Sequence, residues 1–208
     1  MKVLLINGSP HKKRCVYTAL TEVANSLEEA GIETEVAWIG NDPIRGCQAC
    51  NECSKDGASR CIYDDVVNDL LDKAEQADGL IVGSPVYYAG ANGALRCVLD
   101  RMFYAGSSVM AFKPAAAIAS ARRAGTVNAI DQINKYFQIN QMPVVASTYW
   151  PMVHGNSAED VAQDKEGLQT MRALGRNMAW MLKCIESGRQ GGTPHPETEA
   201  KISTNFIR

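Results

Sequence analysis

The chain has no long hydrophobic run and no surplus of either charge. Its first apolar stretch, Val3 to Ile6, ends at Asn7. That is too short for the apolar core of a secretory signal, and no later run approaches the roughly 18 residues that span a bilayer. Twenty-one basic residues face 23 acidic ones, for a net charge of −2, so the basic surplus that binds a nucleic-acid backbone is missing. A cytoplasmic location is expected, with neither membrane nor nucleic acid as partner. Two phosphate motifs are also absent. Without G-x-x-x-x-G-K-[ST] a P-loop is excluded, and without G-x-G-x-x-G a Rossmann dinucleotide site has no support. There is no internal repeat, low-complexity tract or long linker.

What is present is the composition of one globular domain: 208 residues, 46% hydrophobic and 21% charged. Short apolar runs alternate with helical periodicity. Strands are expected over residues 2–7, 34–39, 79–83, 115–119 and 143–149. The run Gly79-Leu80-Ile81-Val82-Gly83 reads as a strand buried on both faces. Helices are expected over 17–30 (closed by Gly31), 66–77 (capped by Asp64 or Asp65), 93–102, 127–137 and 158–187. The order β-α-β-α-β-α-β-α-β-α predicts an α/β fold, a doubly wound five-stranded parallel sheet in the order 2-1-3-4-5 with helices on both faces. The domain should span 1–187, with a cysteine-rich insertion at 46–62 and an extended tail at 188–208. Ligands of such sheets bind beyond the carboxyl ends of the strands. A phosphoaccepting receiver domain shares this architecture but needs an acidic pair near the end of strand one, where Asn7 stands.

The loop after strand one runs Asn7-Gly8-Ser9-Pro10-His11-Lys12-Lys13-Arg14-Cys15-Val16-Tyr17-Thr18 into the first helix. Hydroxyls on Ser9, Tyr17 and Thr18, the helix's free N–H groups and four basic side chains suit a terminal phosphate. A solvated basic loop is the plain alternative. The loop after strand three, Gly83-Ser84-Pro85-Val86-Tyr87-Tyr88-Ala89-Gly90-Ala91-Asn92-Gly93, offers paired phenols to a flat heterocycle. Its glycines 90 and 93 allow close backbone approach, although the tyrosines could equally pack beneath the loop.

Together, Asn7 to Lys12 and Ser84 to Gly90 resemble the flavodoxin-like NADPH-dependent FMN reductase family, over roughly residues 1–185. The resemblance implies an FMN phosphate at Ser9, His11, Cys15, Tyr17 and Thr18, and an isoalloxazine along Pro85, Val86, Tyr87, Tyr88 and Gly90. It brings the loop with Arg122, Arg123 and Gly125 to the ring's polar edge, where a donor would stabilise reduced flavin. It also implies NAD(P)H as reductant and a small oxidised acceptor such as a quinone, a nitro or azo compound, or free flavin. Val16 stands where many relatives carry a threonine, which removes one hydroxyl; Arg14 could compensate by charge.

Four of the seven cysteines form Cys47-x2-Cys50-x2-Cys53-x7-Cys61, with Gly46 and Gly57 to permit the turns. Spacings of two let thiolates converge on one centre, and C-x2-C-x2-C with a further cysteine is an iron–sulfur pattern. Tetrahedral zinc accepts four thiolates as well, and unmetallated cysteines are a third reading. The pattern is similar to the compact motif of iron-sulfur flavoproteins, a branch of the same group. That similarity implies a [4Fe-4S] cluster beside FMN and a ferredoxin-like partner. A non-enzymatic flavin- or zinc-binding module is the reading from another class. Cys97 and Cys184 read as small buried hydrophobes. Tyr149 and Trp150 could cover a ligand or anchor a second subunit, and His154 reads as a structural hydrogen-bonder. The Met and Trp stripe of the last helix (Met171, Met178, Trp180, Met181) suggests core or contacts in a homodimer or homotetramer.

Overall fold

The computed structural model describes all residues except 56–58, 198, 201, 205, 207 and 208; the turn expected at Gly57 lies outside the described residues. Strands β1 (Lys2–Asn7), β2 (Glu33–Trp38), β3 (Gly79–Tyr87), β4 (Gly90–Ala91), β5 (Ala115–Ala121) and β6 (Met152–His154) build one sheet. Its path is β2-β1-β3-β5-β6, parallel at every step, and the short β4 folds back antiparallel on the end of β3. Counting the parallel strands alone, this is the expected 2-1-3-4-5 winding.

Side chains on the central strands alternate between two cores, as the two-residue strand period requires. Val3, Leu5, Ile81, Ala116 and Ile118 pack under α1 (Cys15–Glu29), α6 (Ala158–Gln163) and α7 (Lys165–Gln190). Leu4, Ile6, Leu80, Val82 and Ala117 pack under α2 (Val66–Glu75), α3 (Gly93–Ala105), α4 (Ser107–Met110) and α5 (Thr126–Ile139). A sheet buried on both faces explains why its strands read as nearly unbroken apolar runs. Helix α1 ends in a Schellman turn: Gly31 N–H donates to Glu28 O and Ile32 N–H to Leu27 O. Asp65, not Asp64, caps α2, accepting from Val67 N at 3.1 Å. Among the described residues no helix is long and apolar enough to cross a membrane.

Four expectations need correction. The fifth strand is not continuous over 143–149. Val144 bridges Ala115, the chain then leaves the ladder, and pairing resumes only at Met152–His154. The hydroxyl of Ser147 donates to Thr170 O at 2.6 Å and Asn177 donates to Ala146 O at 2.8 Å, so ties to α7 replace ladder bonds. The helix expected over 158–187 is two helices, because Asp164 turns its carboxylate to cap Gly167 N (2.9 Å) and to accept from His154 N (2.6 Å). Its second part reaches Gln190, so residues 188–190 are helix and not extended tail. Cys184 is exposed and Cys97 only half-buried, so neither is a fully buried hydrophobe. On the last helix Met171 and Met178 are core, whereas Trp180 is exposed.

Candidate functional site

The loop after β1 is shaped by its own polar residues. The buried Asn7 side chain accepts from Ser9 N (3.0 Å) and donates to Lys12 O (3.0 Å), and Ser9 Oγ accepts from His11 N (3.1 Å). These Asx- and Ser-type turns close the loop without a strand partner. Gly8 N–H donates to Gly83 O at 2.9 Å, and Trp38 Nε1–H donates to Ser9 O at 2.7 Å. A Cβ on Gly8 would lie 2.6 Å from Leu95 Cδ2 and 2.8 Å from Gly83 O, so only glycine lets the loop lie this close to β3. No side chain caps the start of α1. The Thr18 hydroxyl donates back to Arg14 O at 3.2 Å. The first-turn N–H groups of α1 therefore remain available to an anion. Arg14 crosses this opening, its guanidinium 3.4 Å from His11 Nε2 and donating to Asn156 O at 3.2 Å.

After β3 the chain makes a tight hairpin through Tyr88 and Ala89, both at positive φ (48° and 59°). Asn128 donates to Ala89 O at 2.6 Å and Gln132 accepts from Ala91 N at 2.9 Å, tying the hairpin to α5. Gly125, at φ 93°, starts that helix directly beneath the hairpin. An added Cβ would stand 2.7 Å from Ala89 Cα and 2.9 Å from Val86 Cγ1. Left-handed non-glycine residues cost about 1–2 kcal/mol each, which the ties to α5 oppose.

Four loops thereby share one open cleft of about 260 Å³. Ser9 and His11 come from the loop after β1, Cys15 from the start of α1, Pro85, Val86 and Tyr87 from the end of β3, which runs on past the expected residue 83, and Arg122 from the loop after β5. Gly155 and Asn156 come from the loop after β6, and the Cys15 thiol lies 3.8 Å from Gly155 O. The remaining expected residues do not line it. Thr18 and Tyr17 sit on the first turn of α1, Tyr88 is fully exposed at the hairpin tip, Gly90 packs on Gln132, Arg123 is exposed, and Gly125 is a joint below the hairpin. Arg14, expected at the phosphate end for its charge, lines the cleft, and Val16, Ser120 and Asn156 line it outside the expected contacts. Tyr149 and Trp150 instead rim a separate cavity of about 420 Å³ where the fifth strand is broken.

The cysteine segment lies against the far half of α3. Cys47, Cys50, Cys53 and Cys61 all line one small cavity of about 20 Å³ with Tyr63, Arg101 and Tyr104. Among the described residues no three His, Cys, Asp or Glu side chains are gathered closely enough to hold a single ion; the four thiols form a wider rim. Arg101, whose side chain is 1% exposed, spans the base of the segment. It donates Nε–H to Cys61 Sγ (3.2 Å), Nη1–H to Asp65 Oδ2 (2.6 Å) and Arg45 O (3.3 Å), and Nη2–H to Asp65 Oδ1 (2.9 Å) and Tyr63 O (3.3 Å). Burial works against its charge, but Asp65 and Cys61 outweigh that and hold the guanidinium more firmly protonated than usual. For Asp65, burial pushes the carboxyl up, yet the Arg101 and Val67 hydrogen bonds and the Arg101 charge bring it below its ordinary value. Asn68 fixes the Cys61 backbone from both sides, accepting its N–H and donating to its C=O, each at 2.9 Å.

A family model for NADPH-dependent FMN reductases matches residues 1–157. The chain belongs to this family. It is also similar to an iron-sulfur flavoprotein of Methanocaldococcus jannaschii, 33% identical over 198 residues that cover 89% of this chain and 100% of the relative. Among solved structures, RosB with bound 8-demethyl-8-formylriboflavin-5'-phosphate superposes with a TM-score of 0.69 at 14% identity, covering 100% of this chain and 92% of RosB. An archaeal flavodoxin superposes at 0.60 and 16% identity, over 88% and 99% of the two chains. The fold is flavodoxin-like, and this FMN reductase relative sits close to the iron-sulfur flavoprotein branch.

The residues of the cleft suit the family's coenzyme. The uncapped start of α1, with Ser9, His11 and Arg14 around it, offers N–H donors and positive charge where a phosphate monoester would sit. The end of β3 at Pro85, Val86 and Tyr87 offers apolar side chains to a flat ring. Four thiols on one rim are, in kind and number, the donor set of a four-iron cluster.

Proposed function

We propose that this chain is an FMN-dependent oxidoreductase whose cysteine segment carries a [4Fe-4S] cluster, so that electrons move between a flavin in the four-loop cleft, the cluster and a ferredoxin-like partner. The observation that carries this reading is the pairing of two sites on one helix. Asn92, which caps α3 by accepting from Leu95 N, has its own N–H held by Ser84 Oγ at 2.9 Å, at the root of the ring-side loop. Farther along the same helix, Arg101 and Tyr104 form the wall of the thiol cavity. When bound, FMN supplies the ability to take a pair of electrons and release them singly. The chain's own residues bind and orient it: the start of α1 and Arg14 hold the phosphate, the Pro85–Tyr87 edge aligns the ring, and Arg122 adds positive charge at the cleft rim.

A second reading is favoured by the open mouth of the cleft, where Tyr87 and Arg122 are both exposed. There, NAD(P)H would reduce the flavin directly, and a small oxidised acceptor (a quinone, a nitro or azo compound, or free flavin) would take the electrons. Exposed Trp150 and Trp180 support pairing of copies into a homodimer or homotetramer.

One anaerobic experiment separates the two readings. Protein purified without oxygen is expected to show a broad violet shoulder on the flavin bands that dithionite bleaches, with iron and sulfide in proportion. Its flavin should be reduced by a reduced ferredoxin far faster than by NADH or NADPH. Rapid bleaching by a pyridine nucleotide in protein without iron would overturn the first reading in favour of the second.

A further inference from the structure

A buried arginine is expensive to keep, and the reading of the cleft leaves Arg101 without a part. Removing a guanidinium from water is opposed by desolvation, and such a group persists where every donor is used. Here all of its nitrogens are used, and the acceptors are distributed in an informative way. One, Arg45 O, immediately precedes the cysteine segment. Three others, Cys61 Sγ, Tyr63 O and Asp65, belong to its far end. The guanidinium also stacks over the Tyr63 ring at 5.2 Å, with Arg45 at 5.0 Å from the same ring. Arg101 thus clamps the two ends of the segment together on α3. Of the four thiols it touches Cys61, the one separated from the other three by the longest spacer.

We propose that Arg101 is the positioning residue of the thiol site: it fixes Cys61 as the fourth ligand and, by donating Nε–H to that sulfur, raises the reduction potential of a cluster held there. This rests on the cluster reading given above. The physical reason is charge. A cluster that accepts one electron gains one negative charge, shared with its thiolate sulfurs. A hydrogen-bond donor at one of those sulfurs therefore stabilises the reduced form more than the oxidised form. The donor is buried, so water cannot replace it.

The test compares wild-type holoprotein with two variants. Arg101→Lys keeps the charge but, as a single ammonium, cannot reach four separate partners. The double variant Arg101→Met with Asp65→Asn removes both charges, so no unpaired carboxylate is left behind and the net charge is unchanged; asparagine still caps α2. Each protein is reconstituted anaerobically with iron and sulfide. It is then titrated with dithionite in the presence of mediator dyes, one electron per cluster, with the reduced cluster followed by EPR. The double variant should show an equilibrium shifted about tenfold toward the oxidised cluster, a potential lower by about 59 mV for a one-electron couple, with Arg101→Lys in between. In the protein before reconstitution, Cys61 should be alkylated more slowly than Cys47 or Cys50, and this protection should disappear in the double variant.

Iron uptake with unchanged potentials in both variants would overturn the proposal and leave the cluster reading standing. A wild type that takes up no iron would overturn both the cluster reading and the effect on potential, and unchanged Cys61 protection would overturn the clamp. If the variants fail to fold, the wild type decides: with 15N-labelled arginine, pulsed EPR of the reduced cluster should show coupling to one guanidinium nitrogen, and its absence would refute the hydrogen bond.

Discussion

Asp65→Ala is expected to destabilise the protein by roughly 3–5 kcal/mol, the range seen when one member of a buried ion pair is removed. For a chain of this length that lowers Tm by about 10 °C. The size of the effect follows from what is left behind. Arg101 is almost wholly buried, and Asp65 alone takes two of its hydrogen bonds at 2.6 and 2.9 Å. Alanine would leave that charge without a counter-ion and uncap α2 at Val67. The same pair sets a pH dependence. Because the folded-state pKa of Asp65 is held below its ordinary value, its stabilising contribution is complete above the unfolded value of about 3.9. It is lost as the pH falls through the lower folded value. Acid unfolding of Asp65→Asn should therefore depend less steeply on pH below about 4 than that of the wild type. Thermal melts over a pH series read both effects. A loss for Asp65→Ala below about 1 kcal/mol, the scale of an exposed pair, would show that water reaches Arg101.

Gly8→Ala should weaken FMN binding about 100-fold, or about 2.7 kcal/mol, while the domain still folds. The added methyl would meet Leu95 Cδ2 at 2.6 Å and Gly83 O at 2.8 Å. Leu95 is fully buried and Gly83 O belongs to a central strand, so neither gives way easily, and the loop must rise instead. Overpacking of this kind costs about 1–3 kcal/mol of stability. Binding suffers more, because lifting Gly8 breaks its bond to Gly83 O and carries Ser9 and the start of α1 away from the ring-side edge. Isothermal titration of the two proteins with FMN measures the difference. Equal affinities would show that the phosphate end of the coenzyme is not held by this loop.

How much of this was legible in the sequence varies with what fixes each feature. The winding of the sheet was legible because strands buried on both faces leave apolar runs that nothing else explains, as at Gly79 to Gly83. The cleft was partly legible. Ser9, His11, Cys15 and Arg122 follow strand ends, and Pro85, Val86 and Tyr87 are the last residues of β3, so all seven meet at the carboxyl edge of the sheet. Tyr88 does not, since the hairpin turn at positive φ throws its ring outward, and a turn of that kind leaves little trace in the residues Tyr-Ala. The broken fifth strand was hidden because its cause lies far along the chain, in Thr170 and Asn177 of α7. The split of the last helix turned on one side chain, Asp164, whose hydrogen bonds outcompete helical periodicity. Arg101 did leave a signal. It falls on the buried stripe of α3 with Val98 and Met102, and a charged residue on an apolar stripe implies a buried partner.

Both proposed electron routes require flavin mononucleotide in the four-loop cleft. Titration of flavin-free protein with FMN, followed by the coenzyme's fluorescence, tests this directly. Saturable quenching at one FMN per chain is predicted, with riboflavin, which lacks the phosphate, binding at least about 100-fold more weakly because nothing then engages the start of α1. Fluorescence that rises in proportion to added FMN without saturation, or equal affinity for riboflavin, would contradict it.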